Sequence, residues 1–454
     1  MKRLIYLLLI LTIFIGTMPE KSYGEVDYVD FIDVKIESNK EYNEIIKLYS
    51  EDGFNLYDRL NKNISIFKIN YDEIHVCGNS SFIEIYDIYG DLITTIPADG
   101  SIIFGSGNFY ESIIRVDENR YRDYITLLNN GYNILIINHI FIENYLFGVV
   151  PKEIPVSSPI EALRAQAVVA RSFTYANLNK HNAEGFNLCT STHCQVYGGF
   201  EWENQSTNQA IIDTFGEYVT YNGQVANTLY HSNSGGHTES SDKVWGGSLP
   251  YLVGVEDIYS LNSTNSSWSI RLTPRELGDK LKANGINVGE VKDVQVLKTT
   301  DSDRVDMIKI VGNSGEEIIS GKEFRTIIGT TSLKSTLFSI NKEGSSNSNK
   351  IYIVDGSGQE PREVDLSGMY IIDGNNNKTV NRNTSNRIRG EASSTDIEGT
   401  MSINPTIFTF EGKGSGHGVG MSQYGAIEMA NLGINYETII KHYYKGVEIT
   451  NSGK

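Results

Sequence analysis

The sequence predicts an α+β protein: a β-rich N-terminal segment, then a mixed α+β domain that carries a surface insertion. Three observations predict it. From Val26 to His139, short runs of β-branched and aromatic residues alternate with turn residues. From Asn144 to Lys180 the apolar residues change to helical spacing. Beyond that, strand and helix patterns alternate to the C-terminus, interrupted by a polar stretch at about 342–406. The division that follows is 1–24 as a targeting segment, 25–114 as a β-rich module and 115–450 as the mixed domain with its insertion at about 342–406.

Taken in order, Lys2 and Arg3 precede an apolar run, Leu4 to Gly16, that is too short to span a bilayer comfortably. Ser22-Tyr23-Gly24 ends in small residues, so export is expected, either with cleavage or with the segment kept as an N-terminal membrane anchor. The rest of the chain is then extracytoplasmic. Phe31 to Ile36, Ile64 to Ile69, Phe82 to Tyr89 and Leu92 to Ile96 read as strands, separated by Asp52-Gly53, Gly78-Asn79 and Asp99-Gly100. Tyr132 to Phe141 is almost continuously apolar and reads as a strand buried on both faces.

Asn144 to Val150 has helical spacing and Pro151 is expected to end it. The loop Pro151 to Pro155 is pinned between two prolines and carries Glu153. Ser158-Pro159-Ile160-Glu161 combines an N-cap, a proline at the first helical position and a capping-box Glu, opening an Ala-rich helix suited to close packing. Asn204 to Phe215 reads as a helix. Tyr218 to Tyr221 and Gln224 to His231 read as a hairpin turning at Asn222-Gly223. Thr273 to Asn284 is helical, Val291 to Val311 gives two strands, and Tyr436 to Tyr443 closes the chain as a helix with Tyr436, Ile439, Ile440 and Tyr443 on one face. Within the insertion, Gly344 to Asn349 is a flexible linker by composition, while Ile351 to Val354 and Met369 to Ile372 read as edge strands.

A net charge of −17 argues against nucleic acid as a partner and offers no polybasic handle for an anionic surface. The 27 Tyr give ample rings for stacking on sugars. With 3 Cys the chain is no disulfide scaffold. Cys77, in an alternating stretch, reads as a packed small hydrophobe. Cys189 and Cys194 flank His193, with His181 upstream, and three readings compete: a short disulfide, a zinc site, or two unlinked thiols. Thiolates and imidazoles suit tetrahedral Zn²⁺. A Cys nucleophile beside His193 has no third group to orient it. The loop from His231 to Thr238 is polar and Gly-rich, and Ser234 and His237 are expected to hydrogen-bond sugar hydroxyl or acetamido groups. The run Gly412 to Gly425 lacks the Lys-Ser/Thr ending of a nucleotide loop. Its glycines let the backbone pass close to a ligand or to another chain segment, presenting His417, Gln423 and Tyr424.

Residues 145–155 (YLFGVVPKEIP) with 159–173 (PIEALRAQAVVARSF), 191–197 (STHCQVY), 231–238 (HSNSGGHT) and 414–426 (GSGHGVGMSQYGA) together resemble the SpoIID/LytB family, the stage II D sporulation type of peptidoglycan lytic transglycosylase. The resemblance runs from about Arg115 to Gly446, minus the insertion. It implies that Glu153 serves as both acid and base in cleaving the glycan strands of peptidoglycan. Arg171 is then expected to orient substrate, with a structural ion pair as its other reading. Some members of the family carry a metal in the region of His181, Cys189, His193 and Cys194, which here implies structural zinc. The family also covers proteins described as amidase enhancers, so a wall-binding module that stimulates a peptidoglycan amidase is the rival expectation, in sporulation or in vegetative wall turnover.

Overall fold

The computed structural model describes residues 31–452, except 37–38, 109–111, 264–265, 347–349 and six short stretches between 354 and 402. The targeting segment, residues 1–24, lies outside the described residues. None of the described helices is long and apolar enough to cross a membrane. The chain forms the mixed α+β fold expected, organised as two compact units, and it passes between them more than once. Unit 1 comprises 1–230, 249–253 and 425–454; unit 2 comprises 231–248 and 254–424.

Unit 1 is built on a seven-stranded sheet. Its strands are β1 (Phe31–Lys35), β2 (Phe54–Asp58), β3 (Asn61–Ile69), β4 (Asp99–Ser106), β5 (Tyr124–Asn129), β6 (Ile134–Phe141) and β7 (Leu188–Cys189). Their spatial order is β7-β1-β6-β5-β4-β2-β3. β6 is an inner strand, and all of it but Phe141 is buried, as its almost continuous apolar run predicts. β1 pairs antiparallel with β6, Phe31 opposite Phe141. The N-terminal segment therefore shares one sheet with the mixed domain, and the chain does not divide at residue 115. A second antiparallel sheet holds Ile46–Tyr49, Glu73–Gly78, Phe82–Tyr86, Leu92–Pro97, Ile113–Val116 and Asn119–Arg122. Cys77 lies half-buried on it.

Helices α1 (Ile142–Glu153), α2 (Ile160–Ala176) and α3 (Gln205–Asp213) follow. Pro151 does not end α1 but lies in its last turn. A proline removes one helical N–H; the turn still closes, because the Ile154 N–H donates to Val150 O at 3.1 Å. The expected capping box on α2 does not form either. Pro159 is the cap residue and no side chain bonds the free N–H groups. Glu161 instead pairs with Arg164 at 2.5 Å and accepts the Tyr436 N–H at 2.9 Å. α2 is otherwise as its alanines foretell, buried from Leu163 inward on nearly every side. Asn204 caps α3, and the hairpin turns at Asn222-Gly223 with both residues at positive φ, although its second arm pairs only over Gln224–Val225.

Unit 2 has its own core, with Leu277, Leu281, Ile308, Phe324, Phe408 and Phe410 at its centre. They come from two antiparallel sheets and two helices, Pro274–Ala283 and Gly321–Ile328. Thr273 and Glu276 form the complete capping box of the first helix. The insertion rises from a long ribbon, Phe338–Ser346 against Ile403–Lys413. Its edge strands are found at Lys350–Ile353 and Tyr370–Ile372, each in a two-stranded pair.

Candidate active site

α1 delivers Glu153. Its N-terminal end is fixed by Asp123, whose carboxylate accepts from the Phe141 N–H at 2.8 Å and from Asn144 Nδ2 at 3.0 Å. Burial pushes the Asp123 carboxyl up, and those two hydrogen bonds pull it the other way. Along its flank, Gly148 meets the ring of Tyr197, which a Cβ would approach to 2.5 Å. The helix can therefore lie against residues 191–197 only with no side chain there.

At the other end, half-buried Glu153 accepts the Val196 N–H through Oε1 at 3.2 Å and a hydrogen bond from the Tyr230 hydroxyl. Burial raises its carboxyl above the ordinary value. The bonds from Val196 and Tyr230 and the charge of Lys152 oppose that without cancelling it. Tyr230 in turn accepts from Gln195 Nε2 at 3.1 Å. The Gln195 carbonyl receives Thr174 Oγ1 at 2.8 Å and Tyr145 Oη at 3.4 Å. Burial holds the hydroxyls of Tyr145 and Tyr230 protonated, so both are donors. The carboxyl is thus neutral more readily than an exposed one and rests on a buried polar chain from α1, α2 and residues 195–196. Among the described residues, no second carboxylate is one of its hydrogen-bond partners.

Tyr230 and Gln195 are functional neighbours that sequence reasoning missed. Their signal was position, since Gln195 lies within residues 191–197 and Tyr230 directly before His231. Glu143 was missed as well, and it corrects Arg171. That guanidinium is fully buried and grips Glu143, Nε to Oε1 at 2.8 Å and Nη2 to Oε2 at 2.5 Å. Its Nη1 donates to Glu217 O at 2.9 Å. It is an internal clasp between α1 and α2, with no exposed donor for a substrate.

His181, Cys189, His193 and Cys194 do come together. One donor atom from each lies within 4.8 Å of all the others. Cys194 Sγ is 3.4 Å from His181 Nε2 and 3.8 Å from His193 Nδ1, and Cys189 Sγ is 3.8 Å from the same Nδ1. Metal–ligand bonds of about 2.0–2.3 Å in a tetrahedron require edges of roughly this length. Both cysteines are free thiols, so the structure contains no disulfide between them. Burial pushes Cys189 up, but hydrogen bonds from Ser191, His193 and Cys194 outweigh it and bring the thiol down to about 6. Burial and the neighbouring Cys189 push Cys194 up to about 11. Glu184 Oε1 accepts from His181 Nδ1 at 2.6 Å, the orienting carboxylate that metal-binding imidazoles commonly have. The donor set fits zinc.

The two glycine-rich motifs meet inside unit 2. Asn233 and Ser415 exchange backbone hydrogen bonds at 3.0 and 2.8 Å, and Glu239 N–H donates to Gly418 O at 2.8 Å. A Cβ on Gly416 would lie 2.8 Å from that of His231, so the close approach is to another chain segment. This corrects Ser234. Its hydroxyl is buried, donating to Asp257 Oδ2 at 2.7 Å and bonded to Ser260 Oγ at 2.8 Å, and so it supports the loop from within. His237 is half-buried with Nδ1 on Thr238 O at 2.6 Å. His417 is half-buried, its Nδ1 accepting from the Val419 N–H at 3.1 Å. Gln423 is buried and Tyr424 half-buried, the latter donating its N–H to Ser232 O at 3.0 Å.

Comparison with known proteins places these motifs in a family. Residues 130–221 match the Stage II sporulation protein (SpoIID) family, and residues 242–359 match a domain of unknown function. The chain is 30% identical over 321 residues to the amidase enhancer of Bacillus subtilis, covering 67% of this chain and 40% of that protein. It is 31% identical to an uncharacterised protein of Brachyspira hyodysenteriae, over 72% of each. To the stage II sporulation protein D of Bacillus subtilis it is 26% identical, over 70% of this chain and 76% of the other. The chain belongs to the SpoIID/LytB family.

Proposed function

We propose that this protein acts at the bacterial cell wall as an exported lytic transglycosylase, and that Glu153 performs both proton transfers. The observation that carries the reading is the carboxyl of Glu153, raised by burial and held by Val196 and Tyr230. In the reaction proposed, Glu153 gives its proton to the oxygen that bridges N-acetylmuramic acid to N-acetylglucosamine, and the C1–O bond breaks. The resulting carboxylate takes the proton from the C6 hydroxyl of the same muramyl residue as O6 bonds to C1. Atoms balance without water: one chain end becomes a 1,6-anhydro ring and Glu153 regains its proton. Raising the carboxyl matches the first step, and the Tyr230 and Val196 hydrogen bonds stabilise the charge formed in the middle of the cycle.

His181, Cys189, His193 and Cys194 would hold structural zinc, with four protein ligands closing the coordination sphere. Val196, which donates to Glu153, lies two residues after Cys194, so that ion would steady the segment that holds the carboxyl.

Product analysis tests the reading. Peptidoglycan with and without its stem peptides is incubated with residues 25–454 and the fragments are weighed. Anhydro ends, one water lighter than hydrolytic ends, are expected. Reducing ends would make the protein a hydrolase. Silence on both substrates until an amidase is added, and then release of peptides alone, would favour the enhancer reading that the Bacillus subtilis relative's name suggests.

A further inference from the structure

Unit 2 contains a second site-like feature that the reaction above does not use. Arg304 is 2% exposed, and its guanidinium is only partly satisfied. Nη2 donates to Ser234 O at 2.6 Å and to His237 O at 3.1 Å, while Nε and Nη1 have no hydrogen-bond partner. Backbone packs close against the group: a Cβ on Gly418 would lie 2.6 Å from its central carbon. Buried cations are normally paired, so a guanidinium with three unanswered N–H bonds is an exception that needs a cause.

Arg304 lines a small cavity of about 160 Å³, into whose walls Lys243, Lys322 and Arg325 also enter. Two carboxylates line it as well, and neither bonds the guanidinium. Glu239 accepts from the Ser240 N–H and from the hydroxyls of Thr300 and Ser302 at 2.5–2.8 Å. Asp306 is paired with Lys298 at 2.5 Å. Four cations against two carboxylates leave the lining net positive, although Glu239 still acts on Arg304 through its charge and Lys243 lies 3.7 Å from Asp242. Its wall also carries Trp245, 45% exposed, set edge-on to His417 with ring centroids 5.1 Å apart. The Lys322 ammonium lies 6.0 Å from the Trp245 ring centroid. That volume is enough for a carboxylate and the few carbons that carry it. An exposed indole at the wall is a surface on which such a ring can rest.

We propose that this cavity is an anion subsite, in which Arg304 receives a carboxylate carried on a sugar while the ring lies against Trp245. Resting on the function proposed above, the sugar acid is the lactyl carboxylate of a muramyl residue without its peptide. A free inorganic anion is the other source of the same chemistry. The site lies in the stretch, residues 242–359, that matches a domain of unknown function, and it gives that domain a binding role.

Binding is read on the whole exported chain carrying Glu153→Gln, which cannot consume its ligand. The probes are N-acetylmuramic acid, its methyl ester and sodium phosphate, followed by calorimetry and thermal shift. The acid is expected to bind at least tenfold more tightly than the ester, which has the same ring and no charge. Phosphate is expected to compete weakly. Arg304→Gln should abolish the preference; because a buried change can cost the fold, Lys243→Gln with Lys322→Gln at exposed positions should weaken acid binding several-fold at unchanged Tm. Equal binding of acid and ester, or no binding of acid, ester or phosphate, would overturn the subsite. Phosphate binding without N-acetylmuramic acid would overturn the sugar assignment. An acid-over-ester preference in a protein that makes no anhydro ends would leave the subsite standing while the transglycosylase reading fell.

Discussion

At the residue scale, the proposed function turns on the proton of Glu153. Its carboxyl is raised in the folded protein, so between the unfolded and folded values the native state binds more protons than the unfolded one. By linkage, stability falls as pH rises through that window. Glu153→Gln removes the titration. Its Tm is expected to exceed that of the parent at pH 7–8, with the gap closing as pH falls below the ordinary carboxyl range, a comparison read by thermal melts across pH. Cleavage should fall by about 10²–10⁴, the usual weight of a positioned general acid or base. Retained cleavage would remove Glu153 from the mechanism. That residue was legible in the sequence through the family resemblance of residues 145–155 and 159–173; a carboxylate between two prolines is by itself as readily a solvated loop charge. Tyr230 and Gln195 were not, because nothing local relates them to Glu153; only packing of the helices beneath the carboxyl puts their side chains in its reach.

The elements carry stability into that site. α1 and α2 are joined by the buried Glu143–Arg171 pair, and removing one partner leaves a lone buried charge. Arg171→Ala should cost about 3–5 kcal/mol of stability. Replacing both residues by apolar ones of similar volume should restore much of it, as denaturant melts will show. A loss confined to KM at unchanged stability would instead return Arg171 to the substrate. The sequence reading began α1 at Asn144, which left Glu143 outside the helix and its Arg without an evident partner. Pro151 was misplaced for a related reason: losing one N–H is tolerable where the next turn still closes. The Cys/His cluster was legible from its spacing, but that its four donor atoms converge was visible only in the structure. Purified protein is expected to carry about one Zn²⁺ per chain, lost in Cys189→Ser, and chelation should lower Tm. Metal-free protein with unchanged Tm would reject the site.

At the scale of the whole molecule, the α+β class was readable from hydrophobic periodicity, whereas the division into units was not. Periodicity reports which face of an element is buried but not which distant strand it pairs with. Thus β1, far from β6 in sequence, lies beside it, and the chain crosses between units at 230–231, 248–249, 253–254 and 424–425. The insertion is different, since its two stems are adjacent by register. Ser346 pairs with Ile403 at the end of the antiparallel ribbon, so the excised ends stand one strand spacing apart. Replacing 347–402 by Asn-Gly, the dipeptide that closes a two-residue hairpin, should therefore keep the ribbon and leave Tm within a few degrees. Shortening the loop also reduces the entropy of closing it, a small gain in the same direction. Glycan cleavage should be unchanged within error, because Glu153 and the residues that hold it lie outside 347–402. A fall in Tm of ten degrees or more would show that the insertion packs on the ribbon that bears it. Lost cleavage at an unchanged Tm would place a substrate contact within residues 347–402.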